Sequence, residues 1–146
     1  MGRPRVRIFC DYEAEGIWDY PCGCDWPKDC SPEIWHENTT HAPDLLILRD
    51  LALWNRRYST WFADWERSIR GEGEPPTAWF DPDAFTAEGL RLASLLKINH
   101  PDWKIIFIDE VAYLKNYYAD LPEDRSFNYE IELGPEGKFL ARELPG

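Results

Sequence analysis

The sequence is poor in positive charge and has no long apolar run. It carries 16 Lys and Arg residues against 27 Asp and Glu residues, which gives a formal net charge of -11. A nucleic-acid backbone and an anionic membrane surface both require cations, so we expect neither as a partner. No apolar run approaches the length that spans a bilayer. The charge balance favours simple solubility, a bound cation or a basic protein partner.

Signals for secretion and for phosphate binding are also missing. The N-terminal residues lead into no apolar region with a cleavage site, so we expect a cytoplasmic protein with reduced cysteines. Its four cysteines are too few for a disulfide scaffold in a chain with 44% hydrophobic residues. The apolar run that ends at Asp109 and Glu110 is similar to a Walker B strand. No Gly-x-x-x-x-Gly-Lys-Ser/Thr motif accompanies it, which argues against a nucleotide enzyme.

The most informative stretch that is present predicts one long amphipathic helix from Pro43 to Arg70. Large apolar residues recur along it in steps of three and four, at Ile47, Leu51, Trp54, Tyr58, Trp61 and Trp65. We expect the polar residues, Asn55 among them, to occupy the solvent side. Such a helix is about 40 Å long, roughly the width of a small domain. The remaining elements are therefore expected to pack on it.

Shorter patterns before and after this helix predict the rest of the fold. A second helix is expected from Pro82 to Asn99, a short helix over 111–118, and strands over 6–10, 103–108, 127–133 and 138–143. The continuous apolar run of 103–108 is typical of a central strand. Glycines at 134 and 137 predict the turn of a C-terminal β-hairpin.

The predicted fold class is therefore α+β, with α/β as the alternative. We expect a single domain over residues 1–146, with a mixed four-stranded sheet and the second helix packed on the long one. Residues 21–42 contain several prolines and few periodic apolar residues, which predicts a long irregular loop.

An acidic and aromatic segment over residues 11–20, which we call the acidic segment, forms the first candidate binding surface together with the start of that loop. Carboxylates steer a basic partner, and Tyr and Trp are common interface anchors. The candidate contact residues are Glu13, Glu15, Asp19, Tyr20, Asp25 and Trp26. Trp18 lies in the same segment, and for this residue we expect core packing instead.

Carboxylates at two strand ends form an alternative site. Asp11 follows the first strand, and Asp109 and Glu110 follow the apolar strand. If these strands are parallel neighbours, the carboxylates lie at one edge of the sheet, where they could bind a divalent metal or act as acid and base. The other interpretation is that aspartates at strand ends serve as turn or cap residues.

The cysteines of the loop give a third candidate. Cys22, Cys24 and Cys30, with His36 or His41, supply zinc-ligand chemistry that would fix the loop. The spacing lacks a pair of Cys-x-x-Cys motifs, and ordinary loop thiols are the competing interpretation. No other cofactor is expected.

Some of these residues resemble a known group of proteins. The pattern consists of Asp11-Tyr12, Gly16-Ile17-Trp18-Asp19, Leu51-x-x-Trp54-x-x-x-Tyr58, and Glu88-Gly89 with the apolar strand after it. It is similar to small bacterial single-domain proteins that include immunity proteins of polymorphic toxin systems, and it covers roughly the first two thirds of the chain. The loop with cysteines at 22–30 departs from it. The resemblance implies a stoichiometric inhibitor of a toxin domain, not an enzyme. We therefore expect an acidic protein that binds a basic toxin.

Overall fold

The computed structural model describes residues 5–11, 16–18, 42–73, 80–112, 127–134 and 139–143. In chain order its elements are β1 (Arg5–Ile8), β2 (Ile17–Trp18), α1 (Ala42–Ile69), α2 (Pro82–Asn99), β3 (Lys104–Ile108), β4 (Asn128–Leu133) and β5 (Phe139–Glu143). A further helical turn begins at residues 110–112, and the remainder of the short helix predicted there lies outside the described residues. The α+β class is confirmed.

The strands form one mixed sheet in the order β2-β1-β3-β4-β5. β1 and β3 are parallel, with Val6 opposite Ile105 and Ile8 opposite Phe107, whereas the other neighbours are antiparallel. β3 lies in the middle of the sheet and buries three consecutive residues, as its continuous apolar run predicts. The predicted terminal hairpin is confirmed by the pairing of β4 with β5.

The sheet has five strands, so the predicted number of four was wrong. The additional strand is β2, whose two residues pair with Arg7 and Ile8 of β1. A strand of this length is too short to show an alternating pattern, and the sequence around it is typical of a turn. Ile17 joins the buried core. Trp18 is only half-buried and stacks on Phe9 at 4.8 Å between ring centroids, so its predicted place in the core was wrong.

The long helix α1 buries the predicted apolar stripe. Five of its six members are buried and Trp65 is partly buried against the core. The prediction failed at Asn55, whose exposure is 0%. This residue lies on the edge of the buried face, where it meets the end of β1. No described helix has the length and apolarity needed to cross a membrane.

The two helices share one face of the sheet, and a single glycine permits their close approach. Gly89 of α2 leaves space for the side chains beneath it, because a Cβ at this position would be 2.5 Å from Trp54 and 2.6 Å from Phe107. The Trp54 indole N–H donates to the Phe85 carbonyl oxygen at 2.9 Å, and its ring stacks on Phe85. α2 begins at the N-cap Asp81, as its Asp-Pro start predicts.

A buried polar contact joins the start of α1 to the end of α2. Asp44 is fully buried, and its carboxylate accepts a hydrogen bond from the Asn99 side-chain amide at 2.9 Å. Nε2 of His100 lies 2.5 Å from the other carboxylate oxygen, and the His100 ring stacks on Trp103. Since buried carboxylates are stable only when they are hydrogen-bonded, this contact fixes the relative position of the two helix ends.

Candidate functional site

The parallel strands β1 and β3 bring three carboxylates to one edge of the sheet. Asp11 lies three residues beyond Ile8, while Asp109 and Glu110 directly follow Ile108. Ile8 and Phe107 are opposite each other in the parallel register, so the two strand ends lie side by side. The predicted arrangement of the strands is confirmed. We call Asp11, Asp109 and Glu110 the carboxylate edge.

The Asn55 side chain positions Asp11, the first residue of this edge, by binding its backbone. Its Oδ1 accepts from the Asp11 backbone N–H at 3.1 Å, and its Nδ2 donates to the Asp11 carbonyl oxygen at 2.9 Å. Gly16 packs on the same turn of α1, with a φ of 83°. A Cβ on Gly16 would lie 2.9 Å from the Leu51 carbonyl oxygen, so only glycine fits there. Both Asp11 and Gly16, which flank residues 12–15, are thereby fixed on α1.

Asp109 has a structural role at the second strand end. One carboxylate oxygen accepts from the Thr86 hydroxyl of α2 at 3.1 Å, and the other accepts from the Ala112 backbone N–H at 3.1 Å. Its own backbone N–H donates to the Phe127 carbonyl oxygen at 2.9 Å. Asp109 therefore caps the helical turn at 110–112 and connects it to α2.

Glu110, the third residue of the edge, has a raised pKa. Partial burial raises its pKa to about 7, and the neighbouring charges of Asp11 and Asp109 act in the same direction. Cys10, which precedes Asp11, is 2% exposed. Burial raises the pKa of the Cys10 thiol well above 9.0, with further increases from Glu110 and Asp109. The edge therefore combines a neutral buried thiol with a carboxyl that gains or loses its proton near neutral pH.

The carboxylate edge does not have the arrangement of a metal centre. Within the described part of the chain, no three His, Cys, Asp or Glu side chains form a group that could hold a metal ion. The chemical reason is visible at Asp109, where both carboxylate oxygens already accept hydrogen bonds. The structure therefore brings the three predicted carboxylates together, and it assigns the cap role to one of them.

The other predicted site residues lie outside the described residues. They comprise the candidate contact residues Glu13, Glu15, Asp19, Tyr20, Asp25 and Trp26, and the candidate zinc ligands Cys22, Cys24, Cys30 and His36. The interface and the zinc site both stay predictions. What the structure adds is the position of Gly16–Trp18 in the middle of the acidic segment, against the end of β1.

Two adjoining clefts between α1 and α2 were missed by the sequence interpretation. A cleft of about 340 Å³ is lined by Phe80, Asp81 and Phe85, and another of about 410 Å³ by Asp50, Leu53 and Arg56. Arg57 and Glu88 line both, so the clefts form one groove. Its residues come from two helices that are distant in sequence, and no local pattern brings them together.

The residues that carry the family resemblance make packing contacts inside the fold. Trp54 and Gly89 meet between the helices, Gly16 lies on α1, and Tyr58 is buried among aromatic rings. No protein-family model, curated protein or solved structure matched the chain. The functional interpretation therefore depends on the charge and geometry of the chain itself.

Proposed function

We propose that this chain is an acidic binding protein of the immunity type, a stoichiometric inhibitor that captures a basic toxin domain in the cytoplasm. The observation that supports it is the distribution of charge. Residues 11–37 carry eight carboxylates and one lysine, a formal charge of -7 out of -11 for the whole chain. A concentrated negative field speeds the capture of a cationic protein and can imitate the phosphates that a nuclease binds.

The described geometry supports the same region. Asp11 and Gly16–Trp18 belong to the acidic segment. Asp11 follows the carboxyl end of β1 beside the end of β3, and β2 pairs with the opposite edge of β1. Asp109 and Glu110 therefore lie next to the first residue of the segment. Asn55 and α1 supply a rigid support, so a partner would meet a segment whose points of attachment are already ordered.

The proposal is tested by affinity capture from the native cytoplasm at low and moderate salt, with the bound proteins identified by mass. We expect one basic protein at near-equal stoichiometry, with weaker capture at the higher salt because exposed charges are screened. The purified partner is then titrated with the chain in its own activity assay. A stoichiometric inhibitor abolishes that activity at a one-to-one ratio.

Two charge-reversed variants locate the surface. Glu13→Lys, Glu15→Lys and Asp19→Lys together should reduce affinity for the captured protein by on the order of a hundredfold. The matched control reverses three exposed carboxylates elsewhere, Glu66→Lys, Glu72→Lys and Asp102→Lys, with the same change in net charge. An equal loss of affinity in both variants would show that only the total charge matters. Unchanged affinity in the Glu13, Glu15 and Asp19 variant would exclude this surface.

A further inference from the structure

Asn55 contacts both ends of the stretch of the acidic segment that lies between Asp11 and Gly16. Its amide binds the backbone of Asp11 through hydrogen bonds of 3.1 and 2.9 Å. A Cβ added to Gly16 would lie 3.5 Å from the Asn55 Cβ, so the other end packs against the same side chain. One residue of α1 therefore fixes where this stretch begins and where it ends.

The hydrogen bonds of the sheet do not account for these contacts. β1 ends at Ile8, and Asp11 lies three residues beyond it. Gly16 directly precedes β2, whose pairing with β1 begins at Ile17. The contacts of Asn55 therefore lie outside the strand pairing, and they hold the connection between β1 and β2.

A buried amide is also an unfavourable choice for packing alone. Asn55 is 0% exposed and belongs to the same helix face as the buried residues Leu51, Trp54 and Tyr58. Burying an amide costs free energy unless hydrogen bonds replace its contacts with water, whereas an apolar side chain has no such cost. The hydrogen bonds to Asp11 compensate for the burial. The presence of asparagine at this position is thus explained by the segment that it holds.

We propose that Asn55 is a positioning residue for recognition, which keeps Glu13 and Glu15 in place for the basic partner. This inference rests on the proposed function, because it requires a partner that these two carboxylates contact. Glu13 is two residues from Asp11, and Glu15 directly precedes Gly16, so each is close in sequence to a position that Asn55 fixes. A stretch that is fixed at both ends loses less conformational freedom when a partner binds, which lowers the cost of binding.

The experiment compares the full chain with its Asn55→Ala variant, and it uses the partner obtained by affinity capture. We expect the substitution to raise Kd about tenfold, because the stretch must then be ordered during binding. The dependence of Kd on salt should stay that of the parent, since no charge changes. The combined reversal of Glu13, Glu15 and Asp19 should weaken that dependence. This difference separates a positioning residue from residues that contact the partner.

Gly16→Ala releases the other end of the stretch. A Cβ at this position would be 2.9 Å from the Leu51 carbonyl oxygen, and the φ of 83° is unfavourable for alanine. We expect a rise in Kd of about tenfold, again with the salt dependence of the parent. Because Gly16→Ala and Asn55→Ala act on different contacts, agreement between them assigns the effect to the residues between the two ends.

A matched control and a measurement without the partner exclude a general loss of stability as the cause. Ile131→Val removes one methylene group from the core on β4, which pairs with β3 and β5. It should lower the thermal unfolding midpoint and change Kd less than about twofold. Hydrogen exchange at the Asp11 amide should accelerate in Asn55→Ala and not in Ile131→Val, because Asn55 Oδ1 accepts from this N–H. All binding is measured at a temperature at which thermal unfolding shows every variant to be folded.

Two results would overturn the positioning role while the proposed function stands. They are a Kd of Asn55→Ala equal to that of the parent, or an equal rise of Kd in Ile131→Val. If the parent itself captures no basic protein, the proposed function fails and this inference fails with it.

Discussion

Replacement of Glu110 by glutamine should make the protein more stable at alkaline pH and should flatten its stability profile. Glu110 lies at the carboxyl end of β3, partly buried and beside Asp11 and Asp109. Its pKa rises from 4.5 to about 7, mainly because burial disfavours the charged form. Glutamine has nearly the same shape and carries no charge at any pH. The variant therefore removes the ionisation and keeps the packing.

The sign and size of the effect follow from proton linkage. The folded state binds this proton more tightly than the unfolded state, so the stabilisation is complete below pH 4.5 and is lost as pH rises through about 7. The full difference in pKa corresponds to about 3 kcal/mol. Because the side chain is partly exposed, solvent screening reduces this to about 1–2 kcal/mol. At pH 8 we expect Glu110→Gln to exceed the parent by that amount, and near pH 4.5 the two should agree.

Urea unfolding followed by tryptophan fluorescence, at several pH values from 4.5 to 8, measures this difference. The control is Glu66→Gln, which removes an exposed carboxylate on α1 and should keep the pH slope of the parent. If Glu110→Gln and the parent lose stability in parallel between pH 5 and pH 8, the partly buried carboxyl is not the cause.

Three further predictions test the packing around the carboxylate edge. Asn55→Ala should cost about 1–3 kcal/mol of unfolding free energy, because it removes two part-buried hydrogen bonds to the Asp11 backbone; unchanged urea unfolding would contradict this. Gly89→Ala should cost about 2–3 kcal/mol through overpacking between the helices, whereas Gly73→Ala, with nothing within 4 Å of its Cβ, should stay within about 0.5 kcal/mol by thermal unfolding. Cys10 should resist iodoacetamide at pH 8 in the folded protein and react after unfolding, as mass spectrometry would show, because burial keeps the thiol protonated and inaccessible.

Sequence patterns predicted the elements that are long enough to show a clear repeat or run of apolar residues. The apolar stripe of α1 extends over the whole helix, and the continuous run of β3 identified the central strand. The helices between β1 and β3 predict their parallel pairing, and this pairing places Asp11 and Asp109 at one edge of the sheet.

The errors have a common physical cause, which is contact between residues distant in sequence. The helical pattern places Asn55 with the polar residues on the solvent side, whereas its burial depends on hydrogen bonds with a residue 44 positions away. β2 exists only because β1 offers an open edge to Ile17 and Trp18. The groove of Arg57 and Glu88 likewise needs two helices in place. Such contacts leave no periodic pattern in the sequence around either residue, so a sequence pattern does not predict them.

The way in which Asn55 binds Asp11 has a consequence for how this protein can change. The amide side chain pairs with the N–H and the carbonyl oxygen of residue 11, as a neighbouring peptide group would, and it makes no use of that residue's side chain. Gly16 fits against α1 because it has no side chain. Neither attachment is made by a side chain of residues 12–15, so we expect substitutions at these four positions to preserve both. A single buried asparagine thus fixes the start of this segment independently of its side chains, and we expect designed sequences at residues 12–15 to leave the stability of the scaffold unchanged.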